Sequence, residues 1–288
     1  MEASELIRRV RRVELRARGL SSQIFSGEYH SAFKGRGMAF SENRAYQHGD
    51  EIRTIDWNVT ARMRSPYVKV FEEERELTAM LLIDVSASGK LGSREKSKRE
   101  LAAELAAVLA FSAGQNNDKI GAILFSDRIE RFIPPKKGRS HILRIVREII
   151  NMEPEGNGTD IASALEHFSR VMKKRTIAFL ISDLQDTGFG DVLKRTARRH
   201  DLVALQLVDD VELKAAKFGW LAATDPESGM AAFIDTSSLR WRKRYTAAAQ
   251  TFQTELVDMM KRSGVDHTVL NTAKPYVQPL MQLFDRRG

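Results

Sequence analysis

An apolar segment beginning at Leu81, L-L-I-D-V-S-A-S, ends on Asp84 and then sets hydroxyls at alternate positions, Ser86 and Ser88. Further along, the glycine-rich G-N-G-T-D-I puts Thr159 just ahead of a helical pattern, and T-I-A-F-L-I-S-D closes another apolar segment on Asp183. All of these side chains offer oxygen. Two carboxylates and three hydroxyls select a hard divalent cation, with magnesium or manganese a better match than zinc. Two carboxylates leave a dication near neutral, with coordination positions filled by water and open to a further carboxylate from elsewhere.

The same residues do not assemble a reaction. S-G-K-L after Ser88 is only a fragment of a phosphate-binding loop, and no G-x-x-x-x-G-K-[ST] exists. No G-x-S-x-G elbow presents a nucleophilic serine. The six histidines lack H-x-x-x-H spacing. An aspartyl nucleophile of phosphatase type would want a second acid two residues after Asp84, where Ser86 stands. A metal-dependent phosphohydrolase is kept as an alternative to a binding module.

The elements that must position these oxygens form an alternating series. T-A-M-L-L-I-D from Thr78, K-I-G-A-I-L-F-S from Lys119, T-I-A-F-L-I-S-D from Thr176, D-L-V-A-L-Q-L-V from Asp201 and V-D-H-T-V-L from Val265 have the nearly continuous apolarity of strands covered on both faces. Helical patterns lie between them. Leu101, Leu105, Val108 and Leu109 form one stripe closed by Gly114, and Ile142, Ile145, Val146 and Ile149 form another with Ser140 as N-cap. Alternation predicts an α/β fold, a doubly wound and mostly parallel sheet with helices on both faces. I-E-R-F-I, following a tight turn, is expected as an antiparallel edge strand. With strand order 3-2-1-4-5, the strands ending in Asp84 and Asp183 are neighbours where the order reverses, the place such sheets bind ligands. Thr159 is expected to cap the next helix and still face that crevice. The helix N-termini beyond Ser88 and Thr159 would direct positive dipole ends there.

Four regions are expected: a basic N-terminal helix over 1–18, a small turn-rich module with β-strands over 19–75, the α/β domain over 76–272 and a helical tail over 273–288. In the module, T-I-D-W-N-V and Y-V-K-V-F look like short strands and H-G-D at His48–Asp50 like a turn. Trp57 is expected to plug a seam, with Asp50 and Asp56 bonding arginines such as Arg53 and Arg62. Within the α/β domain, 219–236 carries a hairpin insertion around D-P-E-S-G, followed by a long helix over Ser238–Arg262 with Tyr245, Phe252, Leu256 and Met259 on its apolar side.

The net charge is +8, and Arg8, Arg9, Arg11, Arg12, Arg16 and Arg18 hold part of the excess. No aromatics are interleaved to stack on bases, so a solvated helix face is preferred to a nucleic-acid site, which stays a further alternative. The chain has no cysteine, which excludes disulfides, zinc–thiolate sites and thiol nucleophiles. No apolar run approaches a membrane span and the N-terminus has no signal-type core. A soluble, cytoplasmic protein is the expectation.

Asp84-x-Ser86-x-Ser88 with Thr159 and Asp183 resembles the metal-ion-dependent adhesion site of von Willebrand factor A domains. The resemblance implies that Ser86, Ser88 and Thr159 touch the metal while both aspartates bind it directly or through water. F-K-G-R-G-M-A-F, R-A-Y-Q-H-G-D, I-D-W-N-V-T-A-R and F-E-E-E-R-E narrow the match to the bacterial "domain of unknown function 58" family, over about Ser26 to Leu270. His48 stands where that pattern would place proline. The resemblance implies a non-enzymatic, metal-dependent protein-interaction module. Such proteins are often encoded beside AAA+ ATPases of the MoxR type, which implies an adaptor role in protein assembly or remodelling. The partner would be that ATPase or its client.

Overall fold

The structure, a computed structural model, describes residues 13–15, 17, 19–20, 38–73, 77–90, 96–215, 217, 219–224 and 231–287. The six N-terminal arginines and the D-P-E-S-G turn lie outside these residues. The chain divides into two compact units, 34–77 and the remainder.

In the smaller unit, β1 (Met38–Ala45) pairs antiparallel with β2 (Tyr67–Glu73) around α1 (Trp57–Met63). The expected H-G-D turn is present. Asp50 N–H donates to the Gln47 carbonyl (3.0 Å), and Gly49 adopts φ 109°, a conformation open to glycine. Asp50 takes both guanidinium nitrogens of Arg44 at 2.7 Å, which with the Gln47 N–H holds its carboxyl below the usual range. The strand expected at T-I-D-W-N-V is instead the start of α1. Asp56 caps it, accepting from the N–H groups of Asn58 (3.0 Å) and Val59 (3.2 Å), and this local bond overrides the strand-like alternation. Trp57, at the first helical position, is 66% exposed. The partners expected of the two aspartates, Arg53 and Arg62, give way to Arg44 and Lys69 (Lys69 to Asp56, 3.7 Å).

The larger unit is built on a six-stranded sheet. Its strands are β3 (Thr78–Asp84), β4 (Lys119–Phe125), β5 (Ile129–Lys136), β6 (Ile177–Ser182), β7 (Asp201–Val208) and, later in the chain, β10 (Asp266–Asn271), in the spatial order β10-β7-β6-β3-β4-β5. All pairs are parallel except β4–β5. β5 is therefore the expected antiparallel edge, and it carries Pro134 and Pro135. The insertion forms the antiparallel pair β8 (Trp220–Thr224) and β9 (Ala231–Asp235).

Helices cover both faces. On one, Met80, Leu82, Ile123, Ala178 and Leu180 pack against α4 (Ile161–Val171), α5 (Gly190–Arg199) and Leu256 and Met260 of α7 (Leu239–Ser263). On the other, α2 (Lys98–Gln115) packs on the sheet and on α3 (Arg139–Asn151), and Phe284 of α8 (Val277–Asp285) meets Phe179 edge-on at 6.5 Å. α2 is buried nearly all round rather than along one stripe, because it lies between sheet and α3. Gly114 does not close it. The helix runs on to Gln115, and a Cβ at Gly114 would stand 2.6 Å from Ile142 Cδ1, so the glycine serves the approach of α3. The cap of α3 is Gly138 at φ 102°, not Ser140, which lies inside the helix. The long helix expected over Ser238–Arg262 is α7, which Ser238 caps and which ends on Gly264 at φ 67°. Of its expected apolar side, Leu256 is buried. Tyr245 stays exposed, stacked on Trp241 with ring centroids 5.2 Å apart.

Gly121 in β4 marks a close approach of neighbouring strands. A Cβ there would lie 2.6 Å from Met80 Sδ, 2.8 Å from the Ile133 carbonyl oxygen and 2.9 Å from Pro135 N. Two of these neighbours are backbone and cannot rotate away. Gly121→Ala is expected to lower stability by about 1–3 kcal/mol, read as a lower urea midpoint at unchanged slope.

Candidate metal centre

Parallel pairing aligns Ile83 with Ile181, so Asp84 and Ser182 finish their strands side by side. Ser182 Oγ donates to Asp84 Oδ2 at 2.6 Å. The other oxygen, Oδ1, accepts the Ser86 N–H at 2.9 Å, which curls the chain into a tight turn beyond β3. Ser86 is fully buried in that turn, and its hydroxyl lies 3.0 Å from that of Ser88. Arg99, from the first turn of α2, anchors the turn from below by donating to the carbonyls of Val85 (2.7 Å) and Met152 (3.1 Å).

Thr159 is half-buried in the loop before α4. That loop is tied to its neighbours on either side. Ala87 N–H donates to the Asn157 carbonyl (3.4 Å), Asp160 N–H to the Ser126 carbonyl (2.9 Å) and Ile161 N–H to Asp186 Oδ2 (2.8 Å). Gly156 makes this possible, since a Cβ there would fall 2.3 Å from Ser126 Oγ and 2.0 Å from Asp127 Oδ1. The turn bearing Ser86 and Ser88, the loop bearing Thr159 and the loop bearing Asp183 thus meet at one end of the sheet, where the order reverses between β3 and β6. The helix cap is Asp160, which accepts from Ser163 N–H at 2.8 Å, not Thr159. With Asp186 and Asp160 on its leading N–H groups, α4 presents its N-terminus to protein carboxylates, contrary to the expected open dipole end.

Asp183 is 5% exposed, and its environment was not legible in the sequence. Its Oδ2 accepts from the ammonium of Lys98 at 2.9 Å, and its Oδ1 from Gln185 N–H at 3.2 Å. Lys98 also pairs with Glu212 of the short helix α6 (Asp210–Leu213). Burial pushes the Lys98 ammonium downward, yet Asp183 and Glu212 outweigh it and hold its pKa above the ordinary value. Gln206 of β7 reaches the Asp183 carbonyl (3.4 Å). Lys98 sits in S-K-R-E, where Ser97 and Glu100 form a reciprocal cap of α2. That cap was readable as S-x-x-E, but a lysine at a helix start carries no signal of burial.

The Arg99 guanidinium feels the charge of Asp84, but at a distance rather than through a bond. Among the described residues neither of its oxygens is bonded by a cationic side chain. Burial, then the neighbouring Asp183, raise its pKa from 3.8 to about 6, against the bonds from Ser182 and Ser86. The assembled oxygens are hard donors, with a buried carboxylate among them that no cationic side chain of the described residues bonds, a set that fits a hard divalent cation.

The reversal of strand order between β3 and β6, helices on both faces and the antiparallel edge strand make this a doubly wound α/β domain. Residues 42–255 match the model of the family described as "protein of unknown function DUF58", and the chain belongs to that family. The uncharacterized protein Rv1480 of Mycobacterium tuberculosis is 27% identical over 281 residues, 96% of this chain and 88% of that protein. Among solved structures, an aerotolerance-related membrane protein from Bacteroides fragilis aligns at 15% identity with a TM-score of 0.50, over 73% of this chain and 99% of its own. The SpRpn10 von Willebrand factor A domain aligns at 11% identity with a TM-score of 0.39, over 73% of this chain and 95% of its own. The expectation of a cytoplasmic protein is corrected by these comparisons, because the same fold occurs in a protein described as a membrane protein. Among the described residues no helix is long and apolar enough to cross a membrane, and that feature does not assign a compartment.

The raised pKa of Asp84 has a definite sign in stability. Between about 4 and about 6 the folded chain holds a proton that the unfolded chain has released, so Asp84 opposes folding increasingly as pH rises through that window. In chelator, Asp84→Asn should flatten the fall in stability between pH 4 and pH 6 and melt higher than wild type at pH 7. Thermal melts across pH check both.

Proposed function

We propose that the chain is a metal-dependent protein-binding module. A divalent cation, magnesium or manganese, is held by Asp84, Ser86, Ser88, Thr159 and Asp183 and takes an Asp or Glu from a partner protein. The observation that carries the reading is the convergence of the loops bearing these oxygen donors around Asp84, a carboxylate to which no cationic side chain among the described residues is bonded. When bound, the ion supplies an electrophilic position for a partner's carboxylate. The chain's own part is to hold the donors still: Ser182 and the Ser86 N–H fix Asp84, the paired hydroxyls of Ser86 and Ser88 lie beside it, and Arg99 braces the turn.

A MoxR-type AAA+ ATPase, or its client, is the partner we assign. Family resemblance supports that choice, and so does a site built to accept an acidic side chain rather than to transform a small molecule.

The test is a pull-down against the purified ATPase in magnesium and in chelator. Binding should be stronger in magnesium, and Asp84→Ala should lose that gain; equal binding in chelator would overturn the reading. Ion uptake by the free chain has its own readout. An ion at ten times its Kd stabilises the fold by RT ln 11, about 1.4 kcal/mol, which for a domain of this size raises Tm by about 3–5 °C. Asp84→Ala should show no rise.

A further inference from the structure

Lys98 is an unusual neighbour for a cation site. Its side chain is 2% exposed, so its ammonium cannot retreat into water and must stay with protein anions. It has two of them. One is Asp183 Oδ2 at 2.9 Å, on a residue assigned above to the ion. The other is Glu212, which lies on α6 and is 17% exposed. Glu212 is itself fixed there. Its Oε2 accepts the Asp209 N–H at 2.9 Å in the cap of α6, and its Oε1 is reached by Gln185 Nε2 at 3.2 Å. Since Asp183 Oδ1 already accepts the Gln185 N–H, an ion drawing on this carboxylate must share it with the ammonium or displace a bond. Two positive charges on one carboxylate repel strongly in a poorly hydrated site.

We propose that Lys98 is a built-in cation that competes with the divalent ion for Asp183, and that Glu212 is the second seat toward which its ammonium shifts when the ion arrives. Lys98 is thus a positioning residue that sets the affinity of the site. This inference rests on the metal reading above. It deepens that reading by making the free chain's site weak by construction, so that a partner's carboxylate is needed to hold the ion firmly. It also makes α6 the element that senses ion occupancy.

Titration calorimetry with manganese or magnesium alone, on the folded full chain, tests this. Lys98→Met should bind the ion about tenfold more tightly, because Asp183 is released to it. Glu212→Gln should bind about fivefold more weakly, because the ammonium is left with Asp183 alone. In the double variant Lys98→Met/Glu212→Gln, the penalty of the glutamine should vanish, whereas independent charge effects would leave it unchanged in both backgrounds. Lys98→Arg keeps the charge and should remain near wild type. If Lys98→Met is too unstable to titrate, Glu212→Gln still decides, since unchanged or tighter binding in it overturns the inference. If wild type binds the ion and Lys98→Met binds equally or more weakly, the inference alone fails. If neither wild type nor any variant takes up the ion, the inference fails, and the pull-down in magnesium and in chelator decides the metal reading by itself.

Discussion

Two carboxylates at the ends of neighbouring parallel strands repel each other, and this chain relieves the repulsion unequally. Asp183 receives the ammonium of Lys98, shared with Glu212, while Asp84 is bonded among the described residues by the neutral donors Ser182 and Ser86 N–H. The inequality depends on the sheet. The β3–β6 register puts Asp84 and Ser182 side by side and Asp183 one residue further on, and α2 delivers Lys98 because the helix is interior on nearly every side. Were α2 a surface helix, the ammonium would be solvated and the charge balance would change. The packing of the domain and the electrostatics of its crevice are therefore one problem.

The loops around the crevice share that logic. Each is held by a carboxylate serving backbone N–H groups, with Asp160 and Asp186 on the start of α4 and Asp209 on α6. These acids are spent on structure. Asp84 too is bonded only by neutral groups among the described residues, but it is buried beside a second carboxylate, and that concentrates the demand for a cation at one point.

Much of this was legible in the sequence, for physical reasons that can be named. Strands buried on both faces must be apolar almost throughout, so their polar ends stand out, and Asp84 and Asp183 were found that way. Thr159 was placed by the glycines before it. What failed was local competition between similar caps. Asp160 rather than Thr159, and Gly138 rather than Ser140, start their helices, and Asp56 turns an alternating stretch into α1. Such choices differ by about 1 kcal/mol and are settled by surroundings that sequence does not display. Lys98 and Glu212 were invisible for a different reason: their pairing joins residues 114 positions apart, and neither type announces burial. The compartment was misjudged because missing cysteines and missing apolar helices describe a domain, not where it is held.

The edge strand β5 bears on how a partner can approach. Pro134 and Pro135 remove consecutive backbone N–H groups from the rim of the sheet. A partner therefore has no continuous ladder there to extend with a strand of its own. Recognition on that flank has to be by side chains, which moves selectivity from the repetitive geometry of the main chain to individual charged groups that a single substitution can gain or lose.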